Sequence, residues 1–191
     1  MKTLHKTFVW LAAMLLLIAA GVLFTFWSYQ QIENASNHRR DSRVTMGAAD
    51  DFMSAIKDAE TAQRGYALTG NETYLRPYLA VRDDVSAQLT ALRQMTTSVP
   101  AQEHVDAIAP LLAAKMAEME QSIALRRTQD IKGVLALVNS NEGKRLMDAI
   151  RSEIGHVIQI ETDIQLQHNN QFDASMRRLF AIIVALGVLA L

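Results

Sequence analysis

Apolar side chains recur every three and four residues along most of the chain, and this spacing leaves little choice of fold. Residues at this spacing share one face of an α-helix and form the seam along which helices pack. Glycine and proline, which weaken helices, number only 8 and 3 in 191 residues. The pattern is clearest in the last third, at Met147, Ile150, Ile154, Val157, Glu161, Ile164, His168 and Gln171. The sequence therefore predicts an all-α chain of long helices.

Three breaks, together with a helix start at Asp130, divide the pattern into four long antiparallel helices and one short helix. They fall at residues 69–71, 96–100 and 139–141, where glycine, proline and asparagine cluster. Gly70 suits the left-handed position after a helix end, and Asp130 is expected to cap the short helix at 131–138. Pro110 lies inside the third helix, where it should kink the helix or mark a restart. These elements predict an antiparallel four-helix bundle.

Both ends of the chain are apolar. Residues 8–28 are predicted to be a transmembrane helix, because about 20 helical residues cross the ~30 Å hydrocarbon layer and the run exceeds a signal-peptide core. Lys2 and Lys6 favour a cytoplasmic N-terminus at 1–7. Residues 179–191 are predicted to begin a second transmembrane helix in a chain that continues further; a short protein with a half-inserted tail is the alternative. The first and last helices of the 29–178 domain would thus each be continuous with a membrane span.

Composition argues against several functions. The net charge of −1 gives no basis for nucleic-acid binding, and the absence of cysteine excludes disulfides and thiolate chemistry. The histidines show no i, i+4 pair, so no metal site is expected. No cofactor motif and no convergent pair of catalytic carboxylates is visible, so these residues are not expected to form an enzyme.

Polar residues occupy the apolar seam of the first helix near its end. The seam runs through Met46, Ala49, Met53, Ile56, Glu60, Gln63 and Ala67. A buried carboxylate needs a partner, and Arg64 follows Glu60 by one helical turn. Glu161 occupies the corresponding seam of the last helix. We predict that Glu60, Gln63, Arg64 and Glu161 form a polar core that sets or switches helix register; ligand contact is the alternative.

Two stretches of the sequence carry a recognisable motif. The first runs from Glu60 to Leu75 and includes the turn and tip residues Gly65, Tyr66, Thr69, Gly70 and Tyr74. The second contains Gly143, Lys144, Met147, Asp148 and Arg151 and is followed on the same helix by Glu161. Together they resemble the third class of CHASE domains, which are extracytoplasmic sensory domains of bacterial signalling proteins, and with the flanking apolar runs the resemblance covers residues 28–180. It implies a periplasmic or extracellular helical sensor at the bacterial inner membrane.

The expected function is therefore signal input, with a sensor histidine kinase of a two-component system as the favoured full-length protein. A chemotaxis-type receptor, a diguanylate cyclase and a stand-alone membrane scaffold are the alternatives. The expected partners are the lipid bilayer, a second copy of the chain and an unidentified small-molecule or protein stimulus. The signal would cross the membrane as a relative displacement of the first and last helices.

Overall fold

The computed structural model describes the backbone of residues 2–189 and the side chains of residues 10, 15, 19–27, 40–167, 169–170, 173–178, 180–182 and 184. Five α-helices make up nearly all of it: α1 (Lys2–Thr69), α2 (Arg76–Met95), α3 (Val99–Arg127), α4 (Ile131–Asn139) and α5 (Glu142–Leu189). A 3-10 turn, Glu72–Leu75, precedes α2. The predicted all-α fold is confirmed over the described backbone.

The chain divides into two compact units, residues 41–166 and residues 1–40 together with 167–191. We refer to the unit at 41–166 as the bundle. Its larger buried cluster takes residues from four helices, namely Ala49, Phe52 and Ile56 of α1, Val85, Leu89 and Leu92 of α2, Ala101, Val105, Ile108 and Leu112 of α3, and Met147, Ile150, Ile154 and Val157 of α5. Burying each large apolar side chain contributes roughly 1.5–3 kcal/mol, so this cluster is the main stabilising element.

A smaller buried cluster fills the end of the bundle near the 3-10 turn. It consists of Ala59, Ala62, Tyr66, Leu75, Tyr78, Met119 and Ile123. These residues come from α1, the turn, α2 and α3. All of them precede Glu142, where α5 begins, so α5 contributes no residue to this cluster.

The buried face of α1 is displaced from the predicted seam. Met46, Met53 and Ala67 are only half-buried. The most buried positions repeat as Ala49, Phe52, Ile56, Ala59, Gln63 and Tyr66. The shift follows from the breadth of the apolar face, because α1 contributes to clusters that also contain α2, α3 and α5. Glu60, predicted as a member of the seam, is buried beside these positions.

Local turn chemistry agrees with the sequence. Gly70 has φ +69° after α1, and the Asn71 side chain accepts from the Thr73 N–H to cap the 3-10 turn. Asp130 accepts from the Gly133 N–H and caps α4. The helix α3 continues through Pro110, so the restart considered above is wrong.

Within the part of the chain that the structure describes, no helix is both long enough and apolar enough to cross a membrane. The two membrane spans are predicted at 8–28 and 179–191. Many side chains of the first range and most of the second lie outside the residues that the structure describes. The N-terminal segment 1–7 and the seam positions His168 and Gln171 also have side chains outside it.

Candidate functional site: a buried ion group beside an apolar cavity

A buried lysine lies at the centre of the polar region. The Lys115 side chain on α3 is only 1% exposed, and its Nζ lies 2.8 Å from Glu60 Oε1 and 2.9 Å from Glu118 Oε2. The same Nζ lies 3.3 Å from the carbonyl oxygen of Gly143. A primary ammonium has three N–H donors, and all three are used here. Burying this charge is tolerable because two carboxylates and a carbonyl replace its water.

The predicted partner of Glu60 is present, but it is the weaker one. Arg64 Nη2 lies 3.2 Å from Glu60 Oε1, and the Arg64 side chain is 62% exposed. An exposed ion pair of this kind contributes about 0–1 kcal/mol, whereas removing one partner of a buried pair such as Glu60 and Lys115 costs about 3–5 kcal/mol. The charges of Glu60, Glu118, Lys115 and Arg64 cancel.

Gln63 is satisfied separately. Its Nε2 donates to Ser122 Oγ of α3 at 2.6 Å, and both side chains are buried. This bond and the contact between Glu60 and Lys115 tie α1 to α3 at two points, about one turn apart along α1 and about two turns apart along α3. The buried polar contacts of Glu60 and Gln63 therefore join the first helix to the third, whereas the predicted polar core joined the first helix to the last.

Glu161 belongs to a different level of the bundle. It is buried and accepts a hydrogen bond from Ser42 Oγ at 2.9 Å. Ser42 lies about five turns of α1 from Glu60, or roughly 27 Å at a rise of about 1.5 Å per residue. The structure thus does not bring Glu60 and Glu161 together in one layer.

A cavity of about 590 Å³ opens beside the ion group. Its polar side carries Glu60, Gln63, Arg64, Lys115, Glu118, Asn141 and Lys144, and its apolar side carries Ala67, Leu68, Ile131, Val134, Leu135, Leu137 and Val138, with Gly143 also in the lining. Five of these apolar residues belong to the short helix α4. The volume lies within the range of small-molecule sites, which combine an apolar wall with a few convergent polar groups.

The second motif meets the first at this site. A Cβ on Gly143 would lie 2.7 Å from Glu118 Oε1, so any other residue here would force the Glu118 carboxylate to shift. Met147 is buried in the larger cluster. Lys144 and Arg151 both contact Asp148, at 2.7 Å each, on the exposed face of α5. The hydrogen bond from Lys144 lowers the pKa of the Asp148 carboxyl.

The tip motif is structural. The ring of Tyr74 lies over Gly65, where a Cβ would come within 2.7 Å of Tyr74 Cδ1. Thr69 Oγ1 donates to the Gly65 carbonyl and accepts from the Asn71 N–H. Tyr66 is buried in the smaller cluster. Gly65, Tyr66, Thr69 and Tyr74 thus each make a contact that shapes the tip of the bundle.

An ion pair closes the same tip. Arg127 of α3 contacts both carboxylate oxygens of Glu72 at 3.1 Å. This hydrogen-bonded arginine lowers the pKa of the Glu72 carboxyl. The pair is exposed and links α3 to the turn that precedes α2.

Replacing Gly70 by alanine should destabilise the tip. The left-handed conformation costs an L-residue about 1–2 kcal/mol. The added Cβ would also lie 2.8 Å from Arg126 Nη2. We expect a loss of about 1–2 kcal/mol in the free energy of unfolding, measured by urea denaturation. Gly47→Ala is the control, because its Cβ meets nothing within 4 Å; an equal loss in both variants would contradict this account.

Comparison with known proteins agrees with this architecture. The family model described as the CHASE3 domain matches residues 35–171. No curated protein matches the chain. Among solved structures, the chain is similar to the sensor domain of histidine kinase HK9 from Rhodopseudomonas palustris, with 26% identity and a TM-score of 0.59 over 65% of this chain and 98% of that one. CHASE3 is a sensory domain and not a catalytic one. The chain belongs to the CHASE3 family.

Proposed function

We propose that this chain is the extracytoplasmic signal-input domain of a bacterial inner-membrane histidine kinase that acts as a homodimer. The observation that carries the proposal is the similarity to the HK9 sensor domain, which extends over 98% of that domain. Residues 29–178 would form the input domain, and residues 8–28 and 179–191 would contribute to the two membrane spans. The N-terminal residues 1–7 would lie in the cytoplasm.

The cavity beside Lys115 is proposed as the site of the stimulus. Its lining draws on α1 through Glu60, on α3 through Lys115 and on α5 through Gly143. A bound molecule would therefore contact both helices whose sequences lead towards the apolar termini. A ligand that prefers one packing of α1 against α5 would shift the population of that state.

The polar side of the cavity indicates the kind of molecule that fits. Among the described residues, Glu60 Oε2 and Glu118 Oε1 accept no hydrogen bond, while every donor of Lys115 is used. A ligand would thus meet these two carboxylate acceptors beside the cationic side chains of Arg64 and Lys144 at the polar end, and the aliphatic side chains of α4 opposite. An amphipathic molecule with hydrogen-bond donors on its polar head matches this lining.

The kinase output is tested with the full-length protein in membrane vesicles supplied with labelled ATP. We expect acid-labile phosphate on a histidine, because a phosphohistidine is the intermediate of such kinases. Synthesis of a cyclic nucleotide, or the absence of labelling in a protein whose C-terminal part is a long coiled coil, would contradict a kinase output.

The same assay tests the cavity. Leu135 is exposed on α4 and lines the cavity. Leu135→Trp should fill part of it and change the basal phosphorylation rate severalfold. Leu79→Trp is the matched control, since Leu79 is an exposed leucine of α2 outside the lining. Equal basal rates in the wild type and both variants would argue against the cavity as the signalling site.

A further inference from the structure

Three potential metal ligands converge on the bundle surface between α3 and α5. His104 of α3 and Glu153 of α5 contact each other, with 2.6 Å between Nδ1 and Oε2. The ring of His156, one turn after Glu153, lies 4.7 Å from the His104 ring, centroid to centroid. One nitrogen of each histidine and one Glu153 oxygen all lie within 4.8 Å of one another.

The backbone beneath this cluster is fixed by packing. The residues that follow the three ligands in sequence are Val105, Ile154 and Val157, all of which belong to the larger buried cluster. They are exposed by 1%, 3% and 0%, respectively. The ligand positions are therefore held by two helices in direct contact, and only side-chain rotation is free. A site supported by rigid elements in this way loses little entropy when it binds.

One of the three residues, His156, has no hydrogen-bond partner among the described residues. Among the described residues, His156 makes no hydrogen bond, although its ring faces that of His104. His104 and Glu153 are half-buried, and His156 is exposed. A neutral imidazole has one nitrogen lone pair available for a metal. The open side of the cluster leaves room for a water molecule as a further ligand.

The donor set defines the class of ion. Two imidazole nitrogens and one carboxylate oxygen suit zinc and other late first-row divalent ions, whereas calcium and magnesium prefer oxygen ligands alone. Tetrahedral zinc with bonds of about 2.0–2.2 Å holds its donor atoms roughly 3.4 Å apart. The contact between His104 and Glu153, at 2.6 Å, is shorter than this distance, and all donor atoms of the cluster lie within 4.8 Å of one another. Modest side-chain rotations would therefore close the site.

We propose that His104, Glu153 and His156 form a binding site for a zinc-like divalent metal ion that clamps α3 to α5. A metal bond between the two helices would hold α5 in one register against the rest of the bundle. The clamp would act independently of the cavity beside Lys115, because the two sites share no residue. Its existence does not depend on which output follows the sensor.

Zinc binding to the purified 191-residue chain in mild detergent tests the proposal. After EDTA treatment and buffer exchange, we expect calorimetry with zinc chloride to show one saturable site per chain. Cobalt chloride should give the intense visible absorption of a four-coordinate ion. His104→Ala, Glu153→Gln and His156→Ala should each weaken zinc binding by at least about 10–100-fold, as loss of a metal-site partner does.

Glu103→Gln is the matched control, because Glu103 is an exposed α3 carboxylate next to His104 and outside the cluster. It should bind zinc as the wild type does. Far-ultraviolet circular dichroism checks that every variant is folded, and Glu153→Gln preserves the size of the side chain. If the wild type and the three ligand variants bind zinc equally, the zinc is an adventitious ion only, and the proposal is overturned. The absence of zinc binding to the wild type would overturn it as well.

Discussion

Replacing Lys115 by methionine is expected to lower the free energy of unfolding by about 3–5 kcal/mol, since removing one partner of a buried ion pair leaves the other charge uncompensated. Methionine fills a similar volume, so the loss arises mainly from Glu60 and Glu118. Both carboxylates contact the Lys115 ammonium, and their side chains are only 11% and 12% exposed. Urea denaturation of the purified chain, followed by circular dichroism, measures the change.

Two further variants identify the cause. Lys57→Met on the exposed face of α1 is the control for removing a lysine charge and should change stability by no more than about 0.5 kcal/mol. Adding Glu60→Gln and Glu118→Gln to Lys115→Met should recover part of the loss, because no buried charge then remains unpaired. If Lys115→Met is no more harmful than Lys57→Met, the ion group does not stabilise the bundle.

Alanine at Gly143 is expected to destabilise the bundle by about 1–3 kcal/mol, the cost of leaving a buried polar group without its partner. The added Cβ would meet the Glu118 carboxylate at 2.7 Å. The carboxylate is held in place by Lys115, so it must move and weaken that contact. Thermal unfolding monitored by circular dichroism would show a lower midpoint.

Gly155→Ala on the same helix should have the opposite effect. A Cβ on Gly155 meets nothing within 4 Å, and the residue is exposed. Alanine is favoured over glycine in a helix interior by about 0.8–1.0 kcal/mol, so this variant should be more stable than the wild type. A rise in stability with both alanines would show that Glu118 adapts freely and that the close approach at Gly143 is unimportant.

The turns were predictable from sequence because their chemistry is local. Gly70 and Asp130 act on backbone groups within a few residues, and the structure places them as expected. The helical fold also follows from spacing that the sequence displays directly.

The partner of Glu60 was missed because sequence shows local pairs more readily than distant ones. Arg64 lies one turn away, whereas Lys115 is 55 positions along the chain. A signal existed nevertheless. The buried positions of α3 repeat as Ala101, Val105, Ile108, Leu112, Lys115, Met119 and Ser122, so Lys115 occupies a core position of an unbroken seam. A lysine in such a seam predicts a buried counter-charge.

The contacts of the other polar residues could not be predicted, because they depend on how the helices are placed against one another. The seam pattern alone suggested that Glu60 and Glu161 face each other, but it cannot give the axial offset between α1 and α5. Ser42, which contacts Glu161, lies before the predicted seam begins at Met46. Similarly, the test for histidine pairs on one helix could not detect His104, Glu153 and His156, which come from two helices.

The position of α4 has a consequence for which part of the domain tolerates substitution. The helix supplies five of the apolar residues around the cavity, yet none of its residues belongs to either buried cluster. Residues with positive φ, Gln129 and Asn141, stand just before and just after the segment from Asp130 to Ser140. We therefore expect substitutions of these five α4 residues to reshape the cavity wall while both buried clusters keep all their members.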